Sequence, residues 1–295
     1  MFLVTGATGG LGRRILRLLR EQEQPVRAFV QLSSRYGELE HRGAQIFIGD
    51  LRLERDIQKA CEGVRYVISA HGSNASTQGG AQALDYRANC DLIDAAQAAG
   101  VEHFTFISVL GADRGYEDAP VFKAKWAVEQ YLKASGLGFT IFRPSGFASN
   151  LLPLAEQFRQ TGIYLLVGDP QSRSSIISTD DLARMAAAAA TTPAALNQTL
   201  AAGGPEVLQR QEIPQIFSRI FNRQPILLNP PLATVDGLRT LLGVVNPAAQ
   251  TSLGTLRTLL ANEFFCKSAE IEQLETIFGF QLETLETFLR RYVSL

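Results

Sequence analysis

The chain has no excess of either charge: across 295 residues, 28 Lys and Arg face 29 Asp and Glu, a formal net charge of -1. That balance excludes a phosphate-backbone binder or a polybasic membrane adsorber, so nucleic acid is not an expected partner. Cysteine is scarce. Cys61, Cys90 and Cys266 are odd in number and lack metal-ligand spacing, which argues for a reducing compartment and against a disulfide framework or a metal site. No stretch reaches the roughly 20 apolar residues of a spanning helix. The most apolar one, Met185 to Ala190, is an alanine run flanked by Asp180, Asp181, Arg184 and Thr191 and is expected to be a packed helix. Met1 to Gly6 enters a buried-strand pattern with no basic n-region or long apolar h-region. A cytoplasmic location is expected, with peripheral attachment to a membrane left open.

At 46% hydrophobic and 19% charged residues, the chain has ample material for a core. Short apolar runs alternate with helix-period segments, the signature of βαβ units and a parallel sheet. Six strands are predicted: Phe2 to Thr5, Val26 to Val30, Gln45 to Ile48, Tyr66 to Ala70, Phe104 to Ser108 and Phe139 to Phe142. Helices are predicted at Leu11 to Glu21, Glu54 to Cys61, Ala81 to Ala99 and Val121 to Ser135, with Gly100, Gly136 and Gly138 as left-handed caps. After Pro144 the alternation stops and proline density rises. Ile176 to Ser178 and Gln198 to Ala202 are candidate returning strands, and the tail from Ser268 reads as two amphipathic helices split at Gly279. The expected fold is α/β, a Rossmann-like doubly wound parallel sheet with a smaller C-terminal substrate or partner lobe. Residues 1–145, with returning segments near 174–203, would form the nucleotide core, and 146–295 mainly the lobe.

Thr5-Gly6-Ala7-Thr8-Gly9-Gly10-Leu11-Gly12 joins the first strand to the first helix. Glycines at 6, 9 and 12 permit a tight turn, backbone approach to a pyrophosphate, and close helix–strand packing, while the helix N-terminus offers free N–H groups. At the end of the second strand, an acid suits a free ribose 2′-OH and an arginine a 2′-phosphate. Here Gln31 stands without an acid nearby and Ser33, Ser34 and Arg35 follow, which favours NADP(H) over NAD(H) unless Arg35 is only a solvated loop charge. Asp50 and Leu51 follow the third strand, suited both to an adenine contact and to capping the next helix. Ala70 and His71 follow the fourth strand, where ligands sit in open α/β sheets, although a lone loop histidine is often structural.

These motifs, with Leu92-Ile93-Asp94-Ala95-Ala96, Phe106-Ile107-Ser108 and Arg143-Pro144-Ser145-Gly146-Phe147, fall in an order that resembles the atypical short-chain dehydrogenase/reductases, NmrA-like branch. Asp85-Tyr86, Ala95 to Val101 and Lys125 make the chain most similar to the photosystem II assembly-factor type of cyanobacteria and chloroplasts. Catalytic members use a Tyr-x-x-x-Lys pair and a strand-end serine, in which a phenol moves the substrate proton as hydride transfers. The resemblance puts Lys125 on the lysine, as a ribose or phosphate anchor, but Val121 on the tyrosine and Val109 on the serine, beside Ser108. It also implies that Pro144 and Phe147 lie beside the nicotinamide and Asn150 near the substrate opening. No residue is assigned a catalytic role. The implied function is a dinucleotide-binding assembly or redox-sensing factor, with a photosynthetic (thylakoid) membrane complex as a partner. The alternative is an NADPH-dependent oxidoreductase acting on a quinone-like acceptor.

Overall fold

The computed structural model describes residues 1–73, 80–243 and 247–293. Six strands form the first part of the chain: β1 (Phe2–Thr5), β2 (Val26–Val30), β3 (Gln45–Ile48), β4 (Tyr66–Ser69), β5 (His103–Ile107) and β6 (Gly138–Pro144). They are followed by β7 (Ile163–Leu165), β8 (Arg173–Ser174), β9 (Gln198–Ala202), β10 (Leu208–Gln209) and β11 (Ile226–Leu228). One parallel sheet runs in the order β3-β2-β1-β4-β5-β6-β9, so the returning segment Gln198 to Ala202 is its seventh strand. The order reverses between β1 and β4, which opens a crevice at the carboxyl ends of those two strands.

Helices cover both faces. They are α1 (Gly10–Glu21), α2 (Gly37–His41), α3 (Glu54–Cys61), α4 (Ala88–Ala98), α5 (Pro120–Ala134), α6 (Leu152–Thr161), α7 (Thr179–Ala188) and α8 (Ile213–Phe221), then α9 (Ala233–Gly243), α10 (Pro247–Ala261), α11 (Ser268–Phe278) and α12 (Leu285–Val293). In α1 the buried residues Leu11, Ile15, Leu16 and Leu19 recur at three- and four-residue spacing and make one apolar stripe. That stripe packs on α7, whose alanine run is buried as a packed helix requires. On the other sheet face, Val67, Phe104, Phe106 and Ile141 meet α3, α4 and α5. Full burial of a side chain such as Phe104 contributes on the order of 2 kcal/mol. A third core of Phe158, Tyr164, Phe217 and Phe288 belongs to the C-terminal elements.

Three local expectations change. Ile176 to Ser178 is not a strand: Ile177 makes a single parallel bridge to Phe147, because Ser178 already caps α7 by accepting from the Asp181 amide. Gly138 is not a left-handed cap but the first residue of β6, where a Cβ would stand 2.8 Å from the Glu102 carbonyl oxygen. The helix expected from Ala81 starts with a wider π-helical stretch, Gln82–Arg87, before α4. π-Helical turns recur at functional sites, and this one carries Asp85 into the interior.

Candidate nucleotide-binding site

The glycine loop crosses the crevice between β1 and β4. Gly6 has φ +68°, and a Cβ on it would meet the Ala70 carbonyl oxygen at 2.5 Å, so only glycine lets the two strand ends approach this closely. At Gly12 a Cβ would lie 2.1 Å from the Gly6 carbonyl oxygen, so here the missing side chain sets the helix–strand distance. Gly9 and Gly10 are less crowded: a Cβ on Gly9 would stand a tight 3.2 Å from the Gly6 carbonyl oxygen, and one on Gly10 would meet nothing nearer than 3.8 Å. The amides of the first turn of α1 have no carbonyl one turn earlier to receive them and are free to bind an anion.

A cavity of about 520 Å³ lies over this loop. Gly6, Thr8, Gly9, Gln31, Ser34, Leu51, Ala70 and His71 share its wall, all of them singled out by sequence. Gln31, Ser33 and Asp50 share a second, adjoining cavity. Gly10, Leu11 and Gly12 build the helix N-terminus beside the first. Arg35 lies on the exposed loop and lines neither cavity; its carbonyl is fastened by Arg13, which also donates to the Thr8 carbonyl and pairs with Glu38. Arg52, passed over in the sequence, lines both cavities and chelates the Asp50 carboxylate through Nε and Nη2. Its hydrogen bond holds the Asp50 pKa below the usual carboxylate value. Position 52 directly follows the Gly49-Asp50-Leu51 motif, the one signal that pointed there.

At the β4 end, His71 is held by three polar neighbours. Nδ1 lies 2.8 Å from Thr5 Oγ1 and 3.3 Å from Ser69 Oγ, while Nε2 lies 3.2 Å from the Leu84 carbonyl oxygen. A carbonyl can only accept, which assigns the proton to Nε2 and leaves Nδ1 to accept from Thr5. Burial pushes the His71 pKa down to about 4, so the ring is neutral at physiological pH.

Behind this wall lie two buried ionic groups. Lys125 Nζ donates to the Ile107 carbonyl at 2.8 Å, sits 3.7 Å from Asp85 Oδ1 and rides over the Phe106 ring. Burial lowers its pKa against the opposing pull of Asp85 and Glu129. The Ser108 hydroxyl donates to Glu129 Oε1 at 2.5 Å, and Glu129 is clamped by Arg143. That proton is therefore committed to a structural pair. Val109 and Val121 pack half-buried on the core below, and neither side chain can transfer a proton. Pro144 is buried at the end of β6, Phe147 bridges Ile177, and Asn150 is exposed; none of the three lines either cavity. All three cysteines are buried free thiols, and burial pushes Cys61 and Cys266 up to about 12, which removes them as nucleophiles. Among the described residues there is no group of three His, Cys, Asp or Glu able to hold a metal ion, and no helix is long and apolar enough to cross a membrane.

A helix N-terminus bare of side chains at Gly9 and Gly10, a cavity in the size range of ligand sites and a buried Asp85 oxygen without a hydrogen-bond partner among the described residues fit a dinucleotide. The family model described as NAD(P)H-binding matches residues 6–193, and the chain belongs to that family. It is 34% identical over 226 residues to the NAD(P)H azoreductase of Xenophilus azovorans, covering 76% of this chain and 74% of the relative. It is 27% identical over 300 residues to the photosystem II assembly factor Ycf39 of Cyanophora paradoxa, covering 99% of this chain and 92% of the relative. The fold is shared with the NADPH-dependent quinone oxidoreductase QOR2 of Escherichia coli in complex with NADPH. There the TM-score is 0.79 at 19% identity, over 99% of this chain and all of the other.

Proposed function

We propose that this protein is a nicotinamide-dinucleotide-binding assembly or redox-sensing factor of the photosystem II type, with NADP(H) as its regulatory ligand and a photosynthetic membrane complex as its partner. The observation that carries this is the pair Val121 and Val109. The two places that supply and relay a proton in carbonyl-reducing relatives hold hydrocarbon, while the nucleotide-binding glycines are intact. Residues 1–145 with 174–203 form the nucleotide core and the remainder the partner lobe. Within it, Leu165, Ile226, Leu227 and Leu228 on β7 and β11, and Leu238 and Leu241 on α9, are exposed, the last at 69%. Apolar side chains presented in this way suit a docking role. The protein would work on the face of the thylakoid membrane without crossing it.

The bound cofactor would rest its pyrophosphate on Gly9 and Gly10 and its adenosine between Leu51 and the Gln31 to Arg35 loop. Lys125, Ser108, Pro144 and Phe147 would lie toward its nicotinamide half, and Val109, Val121 and Asn150 toward the opening. A nicotinamide supplies hydride when an acceptor is present. The second reading, a reductase of quinone-like acceptors, is favoured by the azoreductase relative, since such acceptors take protons from water and need no tyrosine. Mass and absorbance of the nucleotide retained on purification test the ligand. Stopped-flow oxidation of bound NADPH by quinones then separates the readings: no turnover supports the binding role, and fast turnover replaces it with the reductase.

A further inference from the structure

Asp85 is fully buried, yet only half of its carboxylate is engaged. Oδ2 accepts from the Ser73 amide at 3.1 Å and from the Ser73 hydroxyl. Oδ1 has no hydrogen-bond partner among the described residues, and its nearest opposite charge is Lys125 Nζ at 3.7 Å. A buried acceptor left unmade costs free energy, so this oxygen calls for a partner. The adjoining wall is Gly72, which lines the cavity; a Cβ there would stand 3.3 Å from Oδ1. The wall between the cavity and the orphan oxygen is thus a single glycine backbone with no side chain on it. Lys125 spends one of its three donors on the Ile107 carbonyl and keeps the others.

We propose that Asp85 is a binding residue for the nicotinamide-side ribose, approached past the bare Gly72 backbone, with Oδ1 accepting from one hydroxyl while Lys125 donates to its neighbour. A vicinal diol is the group that matches one acceptor beside one donor. The position follows from the cavity's polarity: the adenosine half belongs at Gln31 and Ser34 beyond β2, and the cavity ends on the opposite side at His71, Gly72 and Leu84. Lowered basicity of Lys125 in this pocket favours sharing its protons with a ligand. No sequence motif marks Asp85 for this role; the π-helical stretch that carries it does.

The inference rests on the dinucleotide reading, and calorimetry with two probes keeps the two apart. NADPH carries both riboses, whereas 2′,5′-ADP lacks the nicotinamide half. In Asp85→Asn and in Gly72→Ala, NADPH should bind roughly tenfold or more weakly, the scale of a hydrogen bond to a charged group, while 2′,5′-ADP binds as in the wild type. Gly72 has no left-handed φ, and the alanine methyl needs Asp85 Oδ1 to give by only a few tenths of an ångström, so this variant folds even if Asp85→Asn does not. Equal weakening of both probes would make Asp85 a structural counter-ion of Lys125 and overturn the proposal, as would unchanged NADPH affinity in Gly72→Ala. A wild-type protein that binds neither probe overturns the nucleotide reading itself.

Discussion

Arg14 and Asp180, 166 positions apart, are joined by a 2.7 Å ion pair from Nε to Oδ1, both side chains largely buried. Arg14 also donates to the Gly10 carbonyl in the first turn of α1, and Asp180 also accepts from Arg291 and Tyr292 on α12. One carboxylate therefore fastens the glycine-loop helix α1 to α12. Asp180→Asn is expected to speed amide exchange across α12 and to weaken dinucleotide binding several-fold, since coupling between two sites is reciprocal. Exchange measured by mass spectrometry, with and without NADPH, checks this; an α12 indifferent to both the mutation and the nucleotide refutes the coupling.

Gly9 and Gly12 should respond in opposite ways. Gly9→Asp brings a Cβ to 3.2 Å from the Gly6 carbonyl oxygen, a contact that a shift of a few tenths of an ångström relieves, and an acid at a helix N-terminus is tolerated. Its charge would meet the pyrophosphate, and calorimetry should detect no NADPH binding. Gly12→Ala forces a carbon onto the Gly6 carbonyl and should cost about 1–3 kcal/mol of stability. Normal nucleotide affinity in a folded Gly9→Asp protein sinks the site.

NADPH should bind more tightly than NADH. The strand-end residue Gln31 has no carboxylate to repel a 2′-phosphate, and Ser33, Ser34 and Arg35 stand beyond it. Asp50, the nearby acid, is already neutralised by Arg52. Arg35→Ala should lower NADPH affinity by about tenfold and leave NADH unchanged, a charge-assisted contact being lost from one ligand only. A preference for NADH that survives the substitution contradicts this assignment.

Acid should destabilise the protein earlier than its carboxylates alone require. Burial holds His71 and His103 down to about 4, against 6.5 for a free imidazole. Between those values the unfolded chain takes up protons that the folded chain refuses. Stability is therefore complete above about pH 6.5 and is lost as pH falls toward 4, by up to ~3 kcal/mol per histidine. Denaturant titrations across this window read the slope, and His103→Asn should flatten it by about half; a flat wild-type profile refutes the burial argument.

Ketone reduction should be undetectable under single-turnover conditions, because Val121 and Val109 offer no proton and Ser108 is tied to Glu129. Rapid ketone turnover that depends on Lys125 would falsify the assignment of these positions.

Much of the sheet was legible because each strand is a short apolar run bounded by turn residues, and parallel strands buried on both faces leave that mark. The glycine loop was legible for the same local reason. Arg52, Asp85 and the Glu129–Arg143 pair were not, since their roles depend on residues brought together from distant segments. Gly138 was misread because a glycine after a helix also suits close strand approach, and only the position of Glu102 distinguishes the two. Ile176 to Ser178 has the residue types of a strand, but the cap at Ser178 leaves it no length to form one.

Strand β9 joins the sheet beside β6 although it is made more than fifty residues later. On a ribosome adding about 5–20 residues per second, β6 waits several seconds with one edge open before its partner emerges. An uncovered strand edge is a template for pairing with another chain. The vulnerable interval in the life of this protein is therefore during its synthesis, while β6 has only β5 beside it.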